Sequence, residues 1–298
     1  MNVYPFIEAE KAGQGKVVRS CALLEVSRAA YYAWSAVDPE ERRRGDQELL
    51  DAIRDAHTAS RGTYGSPRIT KALRKRGMRV SRKRIARLMA GQGIVGRARR
   101  RRKRTTIADP KIARQIPDLL KRDFAPTAHS RDTVWCSDIS YVRTWEGWAY
   151  LATVIDLSSR RVVGLAMADH LRTSLVGEAL EMALASRRPG AGLIFHSDRG
   201  CQYTAGEFRE LLGRHGLVQS LARPGQCWDN AVAESFFATL KEELLHRGCW
   251  PTRSAARRAI FEYVEVFYNR RRMHSALDYL SPVDYEARQR DLAETKAA

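Results

Sequence analysis

Three acidic residues in the C-terminal two-thirds of the chain have the types and spacing for metal-assisted phosphodiester chemistry. Asp198 lies in H-S-D-R-G-C-Q-Y at 196–203 and Glu234 in D-N-A-V-A-E-S-F-F-A-T-L-K at 229–241, with 35 residues between them, while Asp138 lies upstream in W-C-S-D-I-S-Y. Cleaving or exchanging a phosphodiester needs a hard divalent cation that activates an attacking oxygen and steadies a departing one. Carboxylates supply the oxygen ligands such cations prefer, and two-metal sites space their ions about 3.5–4 Å apart. Any one of these acids alone reads as a turn, cap or surface residue. Together they predict a site for two Mg²⁺ ions, with Mn²⁺ as a substitute.

The elements around the acids must bring them together. Gly192–His196 is a short apolar, β-favouring run that stops at Ser197-Asp198-Arg199-Gly200, which places Asp198 at a strand end. Trp135–Thr144 reads as a second strand with Asp138 inside it. From Asp229 to His246 the pattern is helical, with Asp229 or Asn230 as N-cap. At about 100° per residue, Val232, Phe236, Phe237, Leu240 and Leu244 fall mainly on one side, and Glu234 and Lys241 share an azimuth at its rim. A carboxylate and a cation then point the same way. Arg199 and Asn230, each close in sequence to one of the acids, are expected on DNA.

Several stretches are similar to the DDE transposases and retroviral-type integrases, whose core has a ribonuclease-H-like fold. Within them the chain resembles the downstream-frame (OrfB-type) transposase of two-frame bacterial insertion sequences, the IS-three family. The matching residues are W-C-S-D-I-S-Y at 135–141, V-I-D-L-S-S-R-R-V-V-G at 154–164, H-S-D-R-G-C-Q-Y at 196–203, D-N-A-V-A-E-S-F-F-A-T-L-K-E-E at 229–243, Y-N-R-R-R-M-H-S-A-L at 268–277 and S-P-V-D-Y at 281–285. The resemblance implies that Asp138, Asp198 and Glu234 form the metal-binding triad and that Lys241 contacts DNA near the transposon end. It also implies terminal inverted repeats and target DNA as partners, an assembly at least dimeric, and a donor-end joining that makes a circle before integration. In that family an upstream frame supplies another helix-turn-helix and a leucine zipper by frameshifting. No sustained heptad pattern occurs here, so the chain reads as the downstream product.

Charge is unevenly placed. The formal net charge is +18, yet residues 1–104 hold 26 Lys+Arg against 10 Asp+Glu, while the remainder is nearly balanced at 26 against 24. Such a basic field favours a polyanionic partner, with salt-dependent affinity. Five scattered cysteines without C-x-x-C spacing indicate neither a disulfide framework nor a zinc site. The His/Cys zinc module of retroviral integrases is absent, since His57 is the sole histidine before residue 129 and Cys21 the sole cysteine near it. No apolar stretch reaches a membrane-spanning length of about 20 residues, and no signal-peptide pattern opens the chain. The expected location is the bacterial cytoplasm, at the nucleoid.

The basic third divides further. Residues 1–16 read as irregular, and 17–34 as two short helices split at Glu25-Val26, with Ser27 as N-cap and Arg28 at the start of the second, in helix-turn-helix spacing. A structural helical hairpin fits the same residues equally well. Arg42–Arg44 precede a helix near 46–57, a second follows near 67–76 up to Gly77, and a third begins at Ser81. Ile85, Leu88 and Met89 stripe the third, leaving Arg82, Lys83, Arg84 and Arg87 for solvent or phosphate. The run Arg97–Arg104 is too dense in charge to pack and reads as a linker or phosphate-tracking arm.

The expected fold class is α/β: a ribonuclease-H-like catalytic core with a mixed five-stranded sheet, preceded by small all-α helix-turn-helix DNA-binding regions. Strands are predicted near 133–144, 148–156, 160–168, 192–196 and 217–222, with helices near 173–187 and 205–215. The expected divisions are 1–45, 46–96, a basic linker 97–131, the core 132–248, and a helical extension 249–298 packed on it. Asp156, which ends A-T-V-I, is the decoy for the first acid and reads as a strand-end turn residue. Two rivals to a transposase fit part of the pattern: a DNA-binding regulator with an inactive core, and a nuclease that cuts without strand transfer.

Overall fold

The computed structural model describes residues 3–36, 38–97, 116–223 and 230–297. Most of the basic run at 98–104, and Asp229, lie outside them. The chain divides into two compact units, 1–96 and 97–298.

In the first unit, α1 (Tyr4–Ala12), α2 (Val17–Leu23) and α3 (Arg28–Ser35) pack around Ile7, Cys21 and Tyr31. The α2–α3 hairpin matches the expected break, with Ser27 extended at the N-cap position. Helix α1 corrects the expectation of an irregular start. Ile7 is its one buried residue, too little for a periodic signal, and the helix closes on Tyr31, whose hydroxyl donates to Glu8. Then α4 (Pro39–Ala59), α5 (Ser66–Lys75) and α6 (Arg82–Gly91) share a core that includes Ile53, Ile69, Leu73 and Ile85. Positions 42–44 lie inside α4 rather than ahead of it. Asp38 accepts from the Glu40 N–H, and Glu40 and Glu41 occupy the first turn, so the cap and the acids start the helix before the arginines. Ser81 accepts from the Arg84 N–H and opens α6.

The second unit is built on five strands ordered β3-β2-β1-β4-β5. β1 (Val134–Thr144), β2 (Gly147–Asp156) and β3 (Val162–Ala168) form an antiparallel meander, while β4 (Ile194–Ser197) and β5 (Val218–Leu221) run parallel to β1. The parallel strands require crossovers. Helix α7 (Thr173–Arg187) and the pair α8 (Cys201–Thr204) and α9 (Gly206–Arg214) supply them. Their apolar faces enclose Trp135, Phe195, Leu180, Tyr203 and Phe208. The mixed five-stranded sheet and its helices are those of a ribonuclease-H-like core. Further on come α10 (Ala231–Glu243) and α11 (Arg253–Glu262), which continues into a π-helical turn at Tyr263–Tyr268, and finally α12 (Pro282–Ala297).

Period-two alternation decides which side of the sheet each β1 residue serves. Trp135 and Ile139 join the cluster under α7, so Asp138 points to the other side. Gly164 is what lets α7 lie so close to β3, because a Cβ there would stand 2.1 Å from the Ala179 carbonyl oxygen. Gly164→Ala is expected to cost about 1–3 kcal/mol or more through overpacking, read as a lower urea midpoint. An unchanged midpoint would mean that α7 can lift from the sheet without loss.

Candidate active site

β1 and β4 pair in register, Cys136 opposite His196 and Ser137 opposite Ser197. The next residue on each is an acid. Asp138 and Asp198 therefore stand side by side at one level, on strands about 4.8 Å apart. Asp138 Oδ1 accepts from the Ile139 N–H at 2.8 Å, and Asp198 Oδ1 from the Gly200 N–H at 3.0 Å. A side chain at position 200 would crowd that oxygen, its Cβ falling 3.1 Å away.

Helix α10 packs against β1 and β2. Its start is tied down by Asn230, 3% exposed, whose Nδ2 donates to the Ser137 carbonyl at 3.0 Å. Asn230 occupies the N-cap position but makes no capping bond with its side chain. One turn later comes Glu234, and two turns beyond it Lys241, both half-buried. Both lie within electrostatic reach of Asp138. Burial, then the charge of Asp198, pushes the Asp138 carboxyl up to about 8; Glu234 adds to the rise, whereas the Ile139 N–H and Lys241 oppose it. Burial also raises Asp198, against the Gly200 N–H and His196. Tyr203, buried beneath both aspartates, hydrogen bonds through its hydroxyl to Ser137 Oγ at 2.8 Å.

Among the described residues no three His, Cys, Asp or Glu are grouped so as to hold an ion. Backbone N–H groups hold one oxygen of each aspartate, and like charges resist closer approach. The donor set nevertheless fits Mg²⁺. It consists of hard carboxylate oxygens, and a cation there would offset the crowding of negative charge that raises Asp138. Sulfur and imidazole do not compete. Burial pushes the Cys136 thiol up to about 12, and His196 Nδ1 is engaged with Ser220 Oγ at 2.9 Å.

Family models for an integrase core domain match residues 128–227 and 215–282, and one for an HTH-like domain matches residues 44–103. An uncharacterized 31 kDa protein of insertion element IS600 from Shigella sonnei is 41% identical over 92% of this chain and 99% of its own length. The transposase InsF for insertion sequence IS3A of Escherichia coli is 36% identical over 95% of this chain and 98% of its own. The chain belongs to the IS3 family of insertion-sequence transposases. Solved structures resemble this transposase more distantly: the HTLV-2 integrase catalytic core domain in complex with magnesium covers 52% of this chain and 96% of its own, at 15% identity and a TM-score of 0.40.

The other residues singled out in the transposase sequence are differently placed. Arg199 is half-buried and donates through Nε to the Ala222 carbonyl and through NH2 to that of Ile116 at 3.4 Å. Arg28, Arg82 and Lys83 are exposed. Arg84 and Arg87 reach Asp46 on α4 at 2.7 and 2.8 Å, so they tie α6 to α4 as well as carrying charge. Asp156 is fully buried and accepts from the Asp132 N–H and from the N–H and hydroxyl of Ser159, which fixes the turn after β2. No helix among the described residues is long and apolar enough to cross a membrane.

Sequence reasoning missed Glu243 and Tyr203. Glu243 had a signal, because it continues the apolar stripe of Phe236 and Leu240 at helical spacing. Tyr203 had none beyond its place in the motif.

The shift of Asp138 carries a pH consequence. Its folded-state value of about 8 lies above the unfolded value of about 3.9, so the folded protein holds this proton more tightly. Metal-free stability should therefore fall as pH rises through that interval. Denaturation midpoints between pH 5 and 9 in chelator would follow it. Asp138→Asn should flatten the slope, and a variant that keeps the full slope would clear Asp138 as its source.

Proposed function

We propose that this transposase cleaves DNA at the ends of its insertion sequence and joins the freed ends to new DNA by Mg²⁺-dependent transesterification at Asp138, Asp198 and Glu234. What supports the reading is the pairing of two acids at one level of adjacent strands, with α10 bringing Glu234 and Lys241 within their electrostatic reach. Mg²⁺ at these three carboxylates, or Mn²⁺ in its place, would activate the attacking oxygen and stabilise the departing 3′-oxygen, most simply as two ions.

The chain's own residues hold and orient. Lys241 lies against a DNA phosphate near the transposon end and offsets part of its charge. Arg199 braces the loop after Asp198 and offers its remaining donors to phosphate. Asn230 acts from beneath, by fixing the start of α10. Water attacks first and exposes a 3′-hydroxyl; that hydroxyl then attacks a second phosphodiester, one P–O bond forming for each one broken. No side chain becomes a nucleophile, and no covalent protein–DNA intermediate is needed.

In this reading residues 1–45 and 46–96 bind DNA through Arg28, Arg82, Lys83, Arg84 and Arg87. Residues 97–131 link them to a core at 132–248, with 249–298 packed on it. Holding two inverted-repeat ends together calls for at least a dimer, and the upstream-frame product is a further partner. The reaction takes place in the cytoplasm, at the nucleoid.

Asp138→Asn, Asp198→Asn and Glu234→Gln are each expected to lower joining of terminal-repeat DNA by on the order of 10²–10³-fold or more, with end binding retained. Joining that survives in all three would refute the site. Wild-type protein that cuts but never joins would instead be a nuclease. Arg82→Ala combined with Lys83→Ala should reduce the slope of log affinity against log salt by about 1–2, measured by anisotropy on terminal-repeat duplex; an unchanged slope would take α6 off the phosphates.

A further inference from the structure

Helix α10 carries a third acid that the proposed chemistry does not use. Glu243 is nine residues past Glu234, which at about 100° per residue puts it on the opposite side of the helix. It is 5% exposed, and its two oxygens accept three hydrogen bonds. Arg272 Nε and the Tyr263 hydroxyl reach Oε2 at 2.9 and 2.8 Å, and Arg272 NH2 reaches Oε1 at 2.8 Å. Arg272 is equally buried and lies over the Tyr268 ring at 5.7 Å. Tyr263 and Tyr268 are the first and last residues of the π-helical turn.

Neither member of this pair is exposed enough to meet DNA. A buried ion pair is also not the most stabilising way to fill such a space, since apolar side chains of similar volume often do as well or better. What the two-pronged guanidinium–carboxylate contact adds is direction. It fixes both the rotation of α10 and its position along its own axis, while the Asn230 bond to the Ser137 carbonyl fixes the other end. A slip of one residue would rotate Glu234 by about 100°.

We propose that Arg272, clasping Glu243 with the help of Tyr263, is a positioning residue that sets the register of α10 and so holds Glu234 and Lys241 beside Asp138. The basic run at 270–272 thus contains one arginine that works from inside the fold. This rests on Glu234 being a site acid.

The test uses the full-length protein, with Glu243→Leu and Arg272→Met combined so that the pocket stays filled, and Arg272→Lys as the milder variant. The double variant should keep its thermal midpoint within a few degrees and keep its affinity for terminal-repeat DNA. In metal-free protein, amide hydrogen exchange should quicken along residues 231–241 as well as near 263–277. The Mg²⁺ concentration for half-maximal joining should rise about tenfold, with Arg272→Lys between wild type and the double variant. Faster exchange confined to 263–277, or an unshifted Mg²⁺ response, would overturn the proposal and leave the pair a local staple. If the double variant melts early, Arg272→Lys decides by the same two measurements. Glu234→Gln separates the two levels: a variant that still joins sinks the site itself, whereas loss of joining there with a wild-type double variant sinks the clasp alone.

Discussion

The structure depends on one pairing, the parallel and in-register alignment of β1 with β4. Sliding either strand by one residue would move an aspartate to the other level and the other face of the sheet. The alignment is held from below by Trp135 opposite Phe195 in the core, and from the side by the crossovers that return the chain to β4 and β5. Two carboxylates that water would keep apart are thereby forced together at the end of a short strand. The raised Asp138 is the electrostatic mark of that compulsion.

Glu234 joins them by a different route. Nothing in the sheet positions it; a helix laid across the other face does, and a helix is free to slide and turn unless something stops it. Asn230 at its start and Glu243 at its end are polar residues buried where apolar ones would serve packing equally well. Division of labour follows: strands fix the two aspartates, and side-chain bonds fix the glutamate.

Much of this was legible in the residues. The strands at 134–144 and 147–156 and the helix at 173–187 lie where apolar runs and turn residues put them, because each has a continuous buried face that generates its own periodicity. Helix α1 was not legible, since one buried isoleucine makes no pattern, and its partners Cys21 and Tyr31 are distant in sequence. Arg42–Arg44 disguised the start of α4 because a charge run looks the same in a helix as ahead of one. For the site, the acids and their order could be read, and so could the azimuth shared by Glu234 and Lys241. Arg272 could not be told from Arg270 and Arg271. Only the fold distinguishes them, by burying one.

The π-helical turn at Tyr263–Tyr268 has a consequence for how this chain can change over time. All but two of its six residues are buried, and wide turns of this kind arise where one residue more than the α-helical repeat is accommodated. Losing a single residue there would restore an ordinary helix and swing everything after it by about 100°, carrying Arg272 out of the interior. Insertions and deletions in this stretch, remote in sequence from every acid, should therefore be as rare among functional copies of the element as changes to the acids themselves.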